Sequence, residues 1–130
     1  MRTDGRVAVG VDVGGTKIAA GLVDLDSGAV TDRHSEPTRS AGGGGVVLDQ
    51  ALALAKAVLD AARGEGRPIV GIGVSLCELV GADGVVTSGQ AVDWVGLPVA
   101  ERFESLAPTV IEADVRAHAL AEAHWGAGRG

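Results

Sequence analysis

Two apolar, β-branched runs at residues 7–13 and 17–23 are joined only by Gly14-Gly15-Thr16. Parallel strands need a crossover of a dozen or more residues, so this link allows an antiparallel hairpin with the glycines at its turn. Neither run alternates cleanly between apolar and polar residues, the mark of strands covered on both faces. Asp24-Leu25-Asp26-Ser27-Gly28 signals a second turn, leading into a more polar third strand at 29–35. Asp24 and Asp26 lack the glycine spacing and later ligands of a calcium loop and read as plain turn residues.

Beyond a glycine-rich entry at 42–45, Val47, Ala51, Leu54, Ala55, Val58 and Ala62 recur at helical spacing and predict a helix over 46–63. Lys56 and Asp60 form an i,i+4 pair on it, and Gly64 supplies a stop. Pro68 precedes a strand at 69–75, and Asp83-Gly84 marks a turn. A short helix at 97–106, a strand at 109–112 and a helix at 114–125 complete a β-β-β-α-β-α-β-α order. That order predicts an α/β domain, a mixed sheet with helices packed on it.

The chain has 130 residues, 46% of them hydrophobic, enough for one domain with a real core. Trp94, Trp125 and Phe103 are the only aromatic residues, so that core must be aliphatic. Eleven Lys and Arg against 17 Asp and Glu give a net charge of −6, with no basic cluster, which argues against nucleic-acid binding. A single cysteine, Cys77, excludes an intramolecular disulfide and a thiolate zinc cage. No signal-type segment or run long enough to cross a bilayer is present, and a cytoplasmic protein without membrane attachment is expected. Residues 126–130, Gly-Ala-Gly-Arg-Gly, have the composition of a loop, as if another domain should follow.

The most informative chemistry lies in Gly10-Val11-Asp12-Val13-Gly14-Gly15-Thr16-Lys17. Gly10 and Gly15 have P-loop spacing, but Thr-Lys stands where a P-loop needs Lys followed by Ser or Thr. A P-loop or a dinucleotide fingerprint also opens a helix, whereas residues 18–23 read as a strand. A strand–Gly-Gly-Thr–strand turn can still hold phosphate. The glycines allow close backbone approach, Thr16 adds a hydroxyl and Lys17 a positive charge. Asp12 would repel phosphate unless a cation intervened, which makes it a candidate for holding hydrated magnesium. The plainer alternative is an ordinary hairpin turn beside an aspartate.

Asp12-Val13-Gly14-Gly15-Thr16-Lys17, followed by Gly21 and Asp24, resembles the first phosphate motif of actin-like sugar kinases, and most closely that of the ROK family (repressor, open reading frame, kinase). The similarity continues at Glu36-Pro37-Thr38, Gly71-Ile72-Gly73-Val74, Trp94, Glu112-Ala113-Asp114-Val115 and residues 126–130. This resemblance implies a ribonuclease-H-like, five-stranded sheet of order 3-2-1-4-5 with strand 2 antiparallel. It makes residues 1–130 an N-terminal domain, with a sugar cleft between it and a C-terminal domain absent from this chain. It implies ATP and Mg2+ as cofactors and a sugar and a nucleotide as small-molecule partners, with room for a homodimer. The family's cysteine-rich zinc site would lie in the C-terminal half, so zinc is not expected in this segment.

The resemblance also assigns roles. Asp12, Gly14, Gly15, Thr16 and Lys17 fall on the phosphate side, with Asp12 reaching Mg2+ indirectly. Asp114 matches the aspartate of a Glu-Asn-Asp signature that accepts the sugar hydroxyl proton, as phosphoryl transfer requires. Asp114 would equally suit the N-cap of the last helix, and the two roles can coexist. Gly73, Ser75, Glu112 and Ala113 fall on the sugar side, where three departures also cluster. Ala113 replaces the signature's asparagine and Arg116 a second one, and Ser75-Leu76-Cys77-Glu78 stands where the family has Pro-Gly. Glu78 and Arg116 are candidate substitutes, although charged residues of this kind are more often solvated on the surface. His118 and Cys77 read as packing or surface residues.

An ATP-dependent hexose kinase, glucokinase-like, is the first functional expectation. A sugar-binding regulator or a catalytically silent member is the second. Repressors of the family carry a DNA-binding segment before the first strand, and only six residues precede Val7. Asp12, Lys17 and Asp114 favour the enzyme, while Ala113 keeps the second expectation open.

Overall fold

In the computed structural model, which describes residues 6–76, 94–113 and 125, five strands form one mixed sheet. β1 (Val7–Val13), β2 (Lys17–Asp24), β3 (Val30–Pro37), β4 (Ile69–Leu76) and β5 (Thr109–Ala113) lie in the order β3-β2-β1-β4-β5. β2 runs antiparallel to β1 and β3, whereas β1, β4 and β5 are mutually parallel. The expected hairpin and strand order are both observed. The helix expected at 114–125 lies outside the described residues except for Trp125.

Burial on both faces explains why β1 does not alternate. Val7, Val9, Val11 and Val13 point into the main core, with Ile18, Leu22, Ile72 and Val74, against α1 (Gly44–Gly64). Ala8, on the opposite face, joins Val23 and Leu25 in a smaller cluster completed by Val30, Val70 and Trp125. Each fully buried aliphatic side chain of this kind contributes about 1.5–3 kcal/mol. β3 forms an edge and is mostly exposed, which accounts for its polar composition. No helix among the described residues is long and apolar enough to cross a membrane.

α1 differs from its sequence reading at both ends. Gly44 and Gly45, expected as a flexible entry, form the first turn. The N-cap, Gly43 (φ 87°), has no side-chain cap, but Val47 N–H donates to its carbonyl at 3.2 Å. The Trp94 indole N–H donates to Gly44 O at 3.0 Å, so a buried aromatic holds the turn that lacks a capping side chain. Trp94 in turn packs against Phe103 on α2 (Val99–Glu104), with ring centroids 6.5 Å apart. α2 is shorter than the expected 97–106, because Pro98 precedes it and Leu106 folds back through N–H to Phe103 O. Lys56 and Asp60 do pair on α1, at 2.7 Å.

At the C-terminus the stop lies two residues beyond the expected Gly64. Gly66 adopts φ 75°, donates to Arg63 O, and lets Arg67 N–H reach Ala62 O, which closes the helix end. The two glycines should therefore respond oppositely to alanine. Gly64→Ala, with open space around the new methyl, should stabilise by about 0.5–1 kcal/mol through helix propensity. Gly66→Ala, equally open but left-handed, should destabilise by about 1–2 kcal/mol. Urea melts of the full gene product should resolve the opposite signs; equal shifts would contradict this placement of the helix end.

Candidate functional site

The site begins with the β1–β2 turn. Gly14 N–H donates to Lys17 O at 3.0 Å, leaving Gly15 and Thr16 at the tip. A Cβ on Gly14 would sit 3.2 Å from that same Lys17 oxygen, so a side chain there would crowd the turn. Thr16 and Lys17 are exposed, as is Asp12 on the last turn-ward stretch of β1. β2 follows at once, so the glycine motif leads into a strand and is neither a P-loop nor a dinucleotide fingerprint.

Strand register determines what lies beside the turn. Asp12 pairs with Ser75 on β4, and Ser75 pairs with Glu112 on β5. These residues form a row across the carboxyl ends of three parallel strands, where open α/β sheets bind their ligands. Asp12 and Glu112 are exposed and Ser75 is buried. Gly73, opposite Gly10 one step deeper, is buried in β4. Ala113 is the last residue of β5, paired with Leu76. Asp114, next in the chain, lies outside the described residues, as do Cys77, Glu78, Arg116 and His118. Four of the five residues expected on the phosphate side, Gly14, Gly15, Thr16 and Lys17, are thus contiguous in one turn, with Asp12 beside them.

No group of three or more metal-ligating side chains occurs among the described residues. Magnesium does not require one: it keeps most of its waters and is commonly held by one or two carboxylates together with substrate phosphates. An exposed Asp12 beside a turn with Thr16 and Lys17 fits that indirect role.

Several residues of the motif have structural reasons of their own. Gly21 lies at a register irregularity between β2 and β3, and a Cβ there would meet Val30 Cγ1 at 2.9 Å. Asp24 Oδ1 accepts the N–H groups of Asp26 and Ser27, and Asp24 Oδ2 lies 3.5 Å from Arg67 Nη2. That makes the acidic pair a side-chain-stabilised turn.

Two residues escaped the sequence reading. Thr38 Oγ1 donates to Gly14 O at 2.7 Å and Thr38 N–H to Thr16 O at 2.9 Å, clamping the glycine turn from just beyond the end of β3. Gln50, buried on α1, donates to Glu36 Oε1 at 2.7 Å and to Pro37 O at 2.8 Å, and accepts Arg39 N–H at 3.0 Å. Gln50 had a legible signal: it sits three residues after Val47 and four before Leu54, a polar residue within an apolar stripe. Thr38 had only its place in Glu36-Pro37-Thr38.

A glycine turn between antiparallel strands, at the carboxyl ends of a 3-2-1-4-5 sheet, defines the actin-like ATPase class of domain. The chain belongs to the ROK family, whose sequence pattern matches residues 8–130. It is 33% identical over 129 residues to a glucokinase of Streptomyces coelicolor, covering 95% of this chain but 38% of that relative. A ROK family glucokinase from Streptomyces griseus, solved with glucose and AMPPNP, superposes with a TM-score of 0.71 at 29% identity, over 95% of this chain and 38% of that one. A ROK family transcriptional regulator, a homologue of the E. coli MLC protein, shares the fold at a TM-score of 0.74 and 19% identity, covering 93% of this chain and 31% of that one. The fold alone therefore does not separate kinases from regulators within the family.

Proposed function

We propose that this chain is the N-terminal, phosphate-binding half of a two-domain, ATP-dependent sugar kinase that transfers a phosphoryl group to a hexose hydroxyl, as a glucokinase does. The observation that carries the reading is the Gly14–Lys17 turn, with Thr16 and Lys17 exposed, beside the Asp12–Ser75–Glu112 row. The similarity to glucokinases, at 33% identity over nearly the whole chain, supports it.

In this reading the turn backbone and the Thr16 hydroxyl bind the donor's phosphates, and Lys17 offsets their charge. Asp12 holds Mg2+ through its waters. Gly73, Ser75, Glu112 and Ala113 border the sugar, and Asp114 takes the proton from its attacking hydroxyl. Ala113 cannot supply the amide of the family's signature, so sugar contacts fall to other groups. Such chemistry belongs in the cytoplasm, where ATP is available. A sugar-binding regulator remains the second reading, favoured specifically by Ala113.

Measuring ADP release with and without hexose separates the readings. The full gene product should show sugar-dependent turnover, whereas residues 1–130 alone should show none. One wall of a cleft cannot align donor and acceptor, and positioning supplies most of the catalysis in phosphoryl transfer. Sugar binding without turnover by the full product would favour the regulator. Robust turnover by the isolated chain would overturn the two-domain reading.

A further inference from the structure

We propose that Thr38 is a positioning residue for the phosphate turn: its two hydrogen bonds fix which way the turn's peptide groups face, and Gln50 holds Thr38 in place. The inference rests on the reading of the turn as a phosphate site and extends it to residues that would touch neither phosphate nor sugar.

The geometry starts from the carbonyl groups of Gly14 and Thr16. Thr38 Oγ1 donates to the first at 2.7 Å and Thr38 N–H to the second at 2.9 Å. The described peptide bonds include no cis form. In a trans peptide the carbonyl and the N–H of the same unit point in opposite directions. With Gly14 O and Thr16 O both drawn toward Thr38, the N–H groups of Gly15 and Lys17 face the other way. A phosphate-binding turn needs this polarity, with N–H groups toward the anion and carbonyl oxygens away from it.

Glycine makes the polarity conditional. A turn with Gly14 and Gly15 adjacent has wide backbone freedom, so a peptide unit can rotate and present its oxygen where its N–H had been. A carbonyl oxygen facing phosphate would repel it. The turn's own closing bond, Gly14 N–H to Lys17 O, involves neither carbonyl that Thr38 holds. Thr38 thus supplies the constraint that the glycines omit.

Thr38 itself lies just beyond β3, at an exposed edge, and needs a support of its own. Gln50 provides it by bonding to Pro37 O and to Arg39 N–H, the residues on either side, and to Glu36 Oε1. Gln50 is 5% exposed, within the apolar face of α1. A buried amide is costly unless its bonds are made, so its bonds are expected to keep 36–39 in one conformation.

The test uses the full gene product, with AMPPNP affinity measured by calorimetry in the presence of Mg2+ and with separate KM values for ATP and glucose. Thr38→Val keeps the size and the backbone N–H but removes the hydroxyl. It should raise the AMPPNP Kd and the ATP KM about tenfold, the worth of one hydrogen bond of ordinary strength, and leave the glucose KM within about twofold. Thr38→Ser should restore both nucleotide values to within about threefold of wild type, because the donor returns. Gln50→Met, which removes the support and leaves Thr38 intact, should weaken AMPPNP in the same direction and gives a second route if Thr38→Val does not fold. Folded Thr38→Val and Gln50→Met variants with wild-type AMPPNP affinity would overturn the proposal, as would a Thr38→Ser variant no better than Thr38→Val. A wild-type protein that bound no AMPPNP at all would remove the phosphate site itself, and the proposal with it.

Discussion

Replacing Asp114 by Asn in the full gene product is expected to lower sugar-dependent turnover by about 10²–10⁴-fold, the usual worth of general-base catalysis, with little change in melting temperature. Asn keeps the size of the side chain and caps a helix about as well as Asp, so the substitution would remove only the proposed proton acceptor. The setting of Asp114 supports this choice. It follows directly on β5, whose Glu112 aligns with Ser75 and Asp12 across the strand ends. An attacking hydroxyl placed over that row would meet the phosphate turn on one side and the end of β5 on the other. If Asp114 served only as a cap, the Asn variant would be as stable as wild type and nearly as active. Asp114→Ala is the poorer test because it also weakens a cap.

Gly71→Ala should be strongly destabilising. A Cβ on Gly71 would lie 2.5 Å from Pro108 O and 2.8 Å from Trp125 Cη2. One obstacle is backbone at the start of the β4–β5 pairing, where Ile72 N–H donates to Pro108 O at 2.7 Å, so it cannot yield without disturbing the ladder. The other is a large ring in the smaller cluster, packed against the sheet face opposite α1. Overpacking of this kind costs about 1–3 kcal/mol, or roughly 5–15 °C in melting temperature for a domain of this size. Trp125→Ala in the same protein should recover part of the loss, so the double variant should be less destabilised than the sum of the singles. Strict additivity would show that Gly71 and Trp125 do not oppose one another.

What could be read in the sequence was local. Three residues between two apolar runs dictated the β1–β2 hairpin, and the stripe from Val47 to Ala62 dictated α1. The spacing of Lys56 and Asp60 fixed their pairing, and the turn chemistry of Asp24 fixed its loop. The strand order came from resemblance, since no periodicity states which strands are neighbours, and resemblance also decided between the two readings that the residues of the Gly14–Lys17 turn allow. What remained hidden is set by contacts between distant segments. Thr38 meets Gly14 across 24 positions, and the Trp94 indole meets Gly44 across 50. No local pattern carries such pairings. The end of α1 was misplaced for a subtler reason: Gly64 and Gly66 both qualify as stops, and only the backbone shows that Gly66 takes the left-handed conformation.

The claim on which the rest depends is that the Gly14–Lys17 turn binds the donor's phosphates. Backbone amide shifts of the 15N-labelled full gene product, followed while AMPPNP is added with Mg2+, report on those residues one by one. Gly14, Gly15, Thr16 and Lys17 should shift together and saturate at a single affinity, while amides at the far end of the sheet, such as Val7 and Ile69, stay in place. Saturable AMPPNP binding that leaves those four amides unmoved would show that the nucleotide sits elsewhere and that the glycine turn is only a turn.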